Sequence, residues 1–100
     1  LAPGQTLIDH KLQLMLEAIY DGRYLAAVGE GSEILDVEPD NVVALTRLGS
    51  AYFAMSEREK ARQIWTKALQ LDPKNEVLRK FLYGNNSRGG AKGASRVEAN

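Results

Sequence analysis

Apolar residues in the second half of the chain recur every three or four positions, the spacing that places them on one side of an α-helix. One stripe, formed by Leu45, Leu48 and Tyr52 with Ala51 beside them, predicts a helix over about residues 42–55. A second stripe at the same spacing predicts the next helix, and its members are Ala61, Ile64, Trp65 and Ala68. Since each stripe covers one face only, the pattern predicts two helices that pack against each other.

Short polar segments separate these helices. Ser56 and Glu59 fit a capping box, in which the serine hydroxyl accepts the Glu59 amide hydrogen and the carboxylate accepts the Ser56 amide hydrogen. Asp72 and Pro73 predict the next turn, because proline is tolerated in the first turn of a helix and not in its interior. A third, shorter helix is predicted over about residues 75–82.

The first half of the chain repeats this organisation less regularly. Thr6 and Asp9 predict a cap for its first helix, and residues 21–24 predict the turn before its second helix. Apolar residues cover almost all sides of the first helix, namely Leu7, Ile8, Leu12, Leu14, Met15, Leu16, Ala18 and Ile19. Such a helix is usually buried on several sides, so the pattern predicts that neighbouring structure contacts it.

A shift of 34 residues aligns the two halves. The identical pairs fall where a helix packs or a turn forms, and they are Leu14 and Leu48, Ala27 and Ala61, Leu35 and Leu69, Pro39 and Pro73, Asn41 and Asn75, and Val43 and Val77. A fixed period of this length indicates an array of helix-turn-helix repeats.

The second repeat resembles the tetratricopeptide repeat (TPR) family at Leu48, Gly49, Tyr52, Ala61, Trp65, Ala68 and Pro73. The resemblance implies an all-α fold, a right-handed superhelix of antiparallel helix hairpins whose first helices line a concave groove for peptides or protein elements. It divides the chain into an N-terminal extension (1–5), a divergent first repeat (6–40), a second repeat (41–74), a capping helix (75–83) and a flexible tail (84–100).

The first repeat departs from the family pattern at its packing positions. Met15 and Ala18 stand where the family usually has glycine and tyrosine, and Gly31 stands where the second repeat has Trp65. Gly29 and Gly31 each lower helix propensity by roughly 1 kcal/mol relative to alanine. Either another element fills the space beside Gly31, or the helix bends there.

The resemblance places a set of candidate protein-binding residues in the groove, namely Leu12, Leu16, Ile19, Tyr20, Val43, Thr46, Arg47, Ser50, Phe53 and Lys80. Asp9 and Val77 line the same surface. The surface is apolar at one end, which favours a partner helix or extended segment, with Arg47 and Lys80 as polar anchors. A competing interpretation is that these residues belong to the core or are covered by further repeats.

Chaperone-binding members of the family hold the terminal carboxylate of a peptide with lysine and asparagine side chains. Leu12, Leu16 and Thr46 stand at the corresponding positions here, so the resemblance does not extend to that carboxylate clamp.

The side chains that catalysis and metal binding require are scarce. The chain has no cysteine and a single histidine, His10, so a histidine triad or a multi-histidine metal site cannot form within it. We therefore predict no enzymatic activity, no metal and no cofactor. No apolar run approaches the roughly 20 residues of a membrane span.

The charges are balanced in total and unevenly distributed. The net charge is zero, which argues against a strongly electrostatic nucleic-acid binder. Residues 1–40 nevertheless carry two basic and eight acidic residues, whereas residues 41–83 carry eight basic and four acidic residues. An acidic first repeat and a basic second repeat predict a homo-oligomer formed by head-to-tail stacking.

The favoured functional hypothesis is a non-enzymatic scaffold that binds a protein segment in the groove. The alternative is an RNA-processing repeat module, because residues 61–69 also resemble the half-TPR repeats of RNA-processing factors. The spacing of Gly49 and Tyr52 favours the plain tetratricopeptide repeat. Because the chain begins with Leu1, we expect a fragment of a longer protein, and the cytoplasm and the periplasm are both compatible with it.

Overall fold

Five α-helices make up residues 6–84, the part of the chain that a computed structural model of the protein describes. They are α1 (Leu7–Tyr20), α2 (Tyr24–Val37), α3 (Val42–Ala54), α4 (Arg58–Leu71) and α5 (Glu76–Leu82). No strand occurs within this range, so the all-α prediction is confirmed. The predicted N-terminal extension (1–5) and all but the first residue of the predicted tail lie outside the described residues.

Each helix packs against the next one along the chain. α1 and α2 form one hairpin, α3 and α4 form a second, α2 joins the two hairpins by packing on α3, and α5 packs on α4. α1 also contacts α3, because these two helices occupy equivalent positions one repeat apart. The first helices α1 and α3 therefore lie side by side, and residues of α3 and α5 line the same surface hollows.

Side-chain caps fix the start of every first helix. The Thr6 hydroxyl accepts the Asp9 amide hydrogen at 3.0 Å, and the Asp9 carboxylate accepts the Thr6 amide hydrogen at 3.3 Å, which confirms the predicted cap. Asn41 caps α3 and Asn75 caps α5, each through a side-chain oxygen that accepts an amide hydrogen three residues on. The caps Asn41 and Asn75 thus follow the 34-residue period, whereas Thr6 caps α1 at a position 35 residues before Asn41.

The predicted capping box at Ser56 and Glu59 is wrong. α4 begins at Arg58, and its N-cap residue Glu57 makes no side-chain cap hydrogen bond. Ser56 instead adopts a left-handed conformation with φ of 67° and ends α3. The Ser56 amide donates to the Phe53 carbonyl at 3.0 Å and the Glu57 amide donates to the Tyr52 carbonyl at 2.9 Å, the two bonds of a Schellman motif.

Gly22 occupies the same place 34 residues earlier, with φ of 78°. Its amide donates to the Ile19 carbonyl, and the Arg23 amide donates to the Ala18 carbonyl, so both hairpins turn in the same way. Glycine adopts this conformation without strain, whereas a serine does so at a cost of roughly 1–2 kcal/mol.

We therefore expect Ser56→Gly to raise the free energy of unfolding by about 0.5–1 kcal/mol, because relief of strain exceeds the added entropy of the unfolded chain. Urea denaturation followed by circular dichroism measures the change. Gly22→Ser is the matched reverse variant and should destabilise the protein by a similar amount. A Ser56→Gly protein less stable than the parent would show that the turn is not strained.

In each hairpin a glycine on one helix faces a large side chain on the other, but the two hairpins place the glycine on different helices. In the second hairpin Gly49 on α3 faces Trp65 on α4, and a Cβ added at Gly49 would lie 2.3 Å from the indole Nε1. In the first hairpin the large residue is on the first helix, since a Cβ added at Gly31 would lie 2.7 Å from Met15 Cε. Met15 therefore fills the space beside Gly31, and α2 runs unbroken past that glycine.

Trp65 lies in the core, as its spacing predicts, with only 7% of its surface exposed. Its Nε1 donates to the Thr46 carbonyl at 3.0 Å, so the one polar atom of the ring has a partner. The ring packs beside Phe53 and Phe81, with centroid distances of 5.6 Å and 4.7 Å. Trp65 thereby joins three helices, α3, α4 and α5.

Candidate protein-binding face

The side of the protein formed by α1, α3 and α5 carries the predicted groove residues, and we call it the groove face. The α3 positions Val43, Thr46, Arg47, Ser50 and Phe53 follow each other at helical spacing along this side. Two hollows open between α3 and α5, and these five residues line them. The structure therefore brings the α3 candidates together on one surface.

The first hollow lies between the N-terminal halves of α3 and α5 and is lined by Val42, Val43, Thr46, Arg47, Asn75 and Val77. Val43 and Val77 are about half-exposed, and they occupy equivalent positions one repeat apart. We call this site the valine hollow. Its open apolar side chains are suited to contact with an aliphatic group.

The second hollow has a volume of about 260 Å³ and is lined by Ser50, Phe53, Trp65 and Phe81. Phe53 and Phe81 are roughly half-exposed, while Trp65 forms the floor. We call this site the aromatic hollow. Two half-exposed aromatic rings beside a buried indole are suited to contact with an inserted ring or a branched aliphatic side chain.

Sequence reasoning missed Phe81. It stands 34 residues after Arg47, so the repeat period itself was the signal that could have placed it on the groove face. Predicted residue Lys80, by contrast, lies along α5 with Glu76, Arg79 and Tyr83 and lines neither of the two hollows.

The α1 candidates divide into two groups. Leu12 and Ile19 are half-buried and pack against core residues, so the competing interpretation as core applies in part to them. Leu16 is also half-buried. Tyr20 is 81% exposed at the last position of α1, with nothing of the described chain covering its ring.

Polar groups on the groove face are largely engaged within the protein. The Arg47 guanidinium donates from Nη1 to the Leu12 carbonyl at 2.7 Å and thereby connects α3 to α1. The Thr46 hydroxyl donates to the Val42 carbonyl, and the Ser50 hydroxyl donates to the Thr46 carbonyl. What remains open on this face is therefore chiefly apolar.

Two arginines from the start of α4 border the aromatic hollow. The Arg58 guanidinium carbon lies 5.4 Å from the Phe53 ring centroid, within range of a cation–π contact. Arg62 lines the adjoining cleft with Phe53, Trp65 and Phe81. The Arg62 Nε lies 4.0 Å from a Glu59 oxygen, and both side chains are well exposed, so the pair neutralises the rim only weakly.

A different electrostatic arrangement joins α1 to α2. Lys11 hydrogen-bonds to Glu33 and, at 3.1 Å, to Glu30, and these two bonds raise the pKa of the lysine. Lys11 occupies the position that the buried Leu45 holds in the second repeat. An ion pair thus replaces an apolar contact at the outer surface of α1.

Within residues 6–84, the structure assembles no group of three or more histidine, cysteine, aspartate or glutamate side chains able to hold a metal ion. None of the five described helices combines the length and the apolar character that crossing a bilayer requires.

Comparison with known proteins identifies the repeat. The sequence model described as "Tetratricopeptide repeat" matches residues 42–75, from the first residue of α3 to the N-cap of α5. Residues 42–75 are a tetratricopeptide repeat. The predicted family and fold class are confirmed, and the family's repeats are protein–protein interaction modules that are typically non-enzymatic.

Similar proteins include several longer ones. The chain is 29% identical over 82 residues to the Hsp70-Hsp90 organizing protein of Triticum aestivum, a match covering 82% of the chain and 14% of that protein. It is 33% identical over 61 residues to the DnaJ protein P58IPK homolog of Arabidopsis thaliana, covering 61% of the chain and 13% of the relative. It is 31% identical over 61 residues to small glutamine-rich tetratricopeptide repeat-containing protein 2 of Mycosarcoma maydis, covering 61% and 17%. The chain thus spans about a seventh of the length of these relatives.

Proposed function

We propose that this TPR module is a non-enzymatic scaffold that binds an apolar segment of a protein on its groove face. The observation that carries the proposal is the row of half-exposed apolar side chains along α3 and α5, namely Val43, Phe53, Val77 and Phe81. They border two open hollows, and an exposed apolar surface of this kind marks an interaction site. A helix or extended strand with apolar residues at regular spacing would place side chains in both hollows.

The proposal differs from carboxylate recognition. The name of the wheat relative connects that protein with the chaperones Hsp70 and Hsp90. Family members that bind chaperones use lysine and asparagine to hold a terminal carboxylate, whereas this chain has Leu12, Leu16 and Thr46 at those positions. The Thr46 hydroxyl is also engaged by the Val42 carbonyl, so an apolar segment is the better match.

Selection from a random peptide library tests this function. The library is displayed with free C-termini, so that apolar segments and terminal carboxylates compete for the protein on equal terms. We expect the enriched peptides to carry leucine, isoleucine, phenylalanine or tryptophan at spacings of three or four residues. Their affinity should fall about tenfold or more for Phe53→Ser, since an aromatic anchor at the centre of an interface contributes most of its energy.

Val37→Ser is the matched control, because Val37 is an exposed apolar residue on α2, outside the groove face. It should leave peptide affinity unchanged, and circular dichroism of both variants should show the parent helix content. Peptides enriched only for a C-terminal carboxylate, or peptides that bind equally well to Phe53→Ser, would overturn the proposal.

The RNA-processing alternative remains a prediction with its own test. The matching family model is that of the tetratricopeptide repeat, which favours the protein-binding hypothesis. A filter-binding titration with single-stranded RNA at low salt decides the matter, because phosphate contacts are strongest there. Tight binding that weakens steeply with added salt would support the alternative.

A further inference from the structure

Two parts of the groove face carry complementary features. Tyr20 projects from the end of α1 as an exposed aromatic side chain, and the carboxylate of Glu17 lies one helical turn before it. The aromatic hollow between α3 and α5 is open, and the cationic side chains Arg58 and Arg62 line the cleft that adjoins it. An aromatic knob beside an acid therefore exists on the same molecule as an aromatic hollow beside bases.

We propose that the aromatic hollow binds Tyr20 of a second copy of the chain, so that two copies form a two-fold symmetric dimer. This inference rests on the proposed function, since it uses the same face, and it names one occupant for that face. In each copy the Tyr20 ring would lie against Phe53, Trp65 and Phe81 of the other, with Glu17 facing the two arginines.

Two-fold symmetry means that the contact between Tyr20 and the aromatic hollow occurs twice in the dimer. α1 and α3 run in the same direction one repeat apart, so Tyr20 and Phe53 lie near the same ends of neighbouring helices. A two-fold axis between them carries each knob onto the hollow of the other copy, because in such an interface residue i contacts j and j contacts i. The same axis sets the acidic first repeat against the basic second repeat twice.

The composition of α1 disfavours the head-to-tail stacking that the charge distribution also allows. In the second repeat, Ala44, Leu45 and Ala51 on α3 are buried against neighbouring helices. The residues 34 positions earlier are His10, Lys11 and Glu17, and none of them is buried. Ala44 and Ala51 pack against the first repeat, so a hairpin stacked on α1 in the same way would cover His10 and the charged Glu17 instead of two alanines.

The size of the contact sets the expected strength. An inserted tyrosine ring buries its apolar faces and keeps its hydroxyl near solvent, which is why tyrosine is common at interfaces. Asp21, the other acid beside Tyr20, is paired with Arg23 at 3.0 Å, whereas the Glu17 carboxylate accepts a hydrogen bond from the neutral Gln13 amide at 3.2 Å and keeps its net charge for the arginine rim. We therefore expect a weak dimer that loosens with salt.

Sedimentation equilibrium of the full chain, from micromolar to millimolar protein at low and high salt, tests the dimer. We expect a monomer–dimer equilibrium whose dissociation constant rises about tenfold or more in Tyr20→Ser, the scale of loss for an interfacial aromatic anchor. Leu25→Ser is the control, because Leu25 is 76% exposed and lies on α2. That control should dimerise like the parent.

Two complementation experiments identify the contact itself. Tyr20→Ser mixed with Phe81→Ser should form heterodimers more readily than either variant dimerises alone, since the mixture keeps one intact knob and one intact hollow. Glu17→Arg and Arg62→Glu should each weaken the dimer, and the chain carrying both changes should regain it. Lys67→Glu, an equal charge reversal on another side of α4, should not restore Glu17→Arg.

A chain that stays monomeric throughout, or a dimer indifferent to Tyr20→Ser, would overturn this inference. So would failure of the double charge reversal to restore association. The proposed function has its own readout in the peptide selection, so peptides bound to a strictly monomeric chain would uphold the groove face and remove only the second copy as its occupant.

Discussion

Replacing Trp65 with alanine should lower the free energy of unfolding by about 3–5 kcal/mol, the range for removing a large aromatic side chain from a core. The ring is 7% exposed and belongs to the cluster that also contains Leu45, Leu78 and Leu82. The ring contacts residues of α3 and α5 from its position on α4. The residue that faces the ring on α3 is Gly49, which has no side chain to fill the cavity.

That loss is large compared with the total free energy of unfolding expected for the protein. A folded segment of 79 residues is expected to have a stability of about 4–12 kcal/mol. The Trp65→Ala chain should therefore unfold at a clearly lower urea concentration than the parent. Far-ultraviolet circular dichroism is the appropriate probe, since the substitution removes the only tryptophan.

Two companion variants separate the contributions at this position. Trp65→Phe keeps most of the ring and removes the Nε1 donor to the Thr46 carbonyl, so it should cost about 1 kcal/mol for the hydrogen bond plus a share of the lost volume. Tyr83→Ala removes an aromatic side chain that is mainly exposed and should change stability by less than about 0.5 kcal/mol. If Trp65→Ala cost no more than Tyr83→Ala, the ring would not be part of the core.

The second hairpin could be predicted from the sequence because its determinants are local. Leu45, Leu48, Ala61 and Trp65 recur at helical spacing, and the structure buries all four. The end of α4 follows from the predicted turn at Asp72 and Pro73, residues that act on their own neighbours. Each of these signals is decided within one turn of the residue that carries it.

Ser56 shows where local reasoning fails. A serine followed three residues later by a glutamate fits a capping box, yet the same serine can adopt the left-handed conformation that ends the preceding helix. The sequence motif does not distinguish these roles. Comparison with Gly22, its equivalent 34 residues earlier, carries the missing information, because glycine at that position signals a helix end.

The sequence predicts which helix positions the groove-face residues occupy, but it does not predict which of their side chains are exposed. Periodicity places Leu12, Ile19, Phe53 and Tyr20 on first helices, but whether each is open depends on what packs beside it. Core residues that include α3 side chains cover part of Leu12 and Ile19. Tyr20 is the last residue of α1 and is mostly exposed. The hydrogen bond from Arg47 to the Leu12 carbonyl likewise joins two helices through residues that are 35 positions apart in sequence.

Gly49→Ala is the second substitution with a large expected effect, and it should destabilise the protein by about 2 kcal/mol. Overpacking a tight core costs up to about 3 kcal/mol, while the change from glycine to alanine returns about 1 kcal/mol of helix propensity. The added methyl group would lie 2.3 Å from Nε1 and 2.5 Å from Cδ1 of Trp65. The indole cannot move aside easily, because its Nε1 is bonded to Thr46 and its ring is held between Phe53 and Phe81.

The other helix glycines provide controls in which the same substitution should have different signs. At Gly31 the nearest obstacle is the Met15 terminal methyl group, the end of a flexible side chain that can shift, so Gly31→Ala should be nearly neutral. Nothing lies within 4 Å of a Cβ at Gly29, so Gly29→Ala should stabilise the protein by about 0.5–1 kcal/mol. Urea denaturation of the three variants should therefore rank Gly29→Ala above Gly31→Ala and Gly31→Ala above Gly49→Ala. If Gly49→Ala were as stable as Gly31→Ala, the indole would not set the distance between α3 and α4. The exchange of the glycine and the large residue between the two hairpins would then have no effect on the free energy of unfolding.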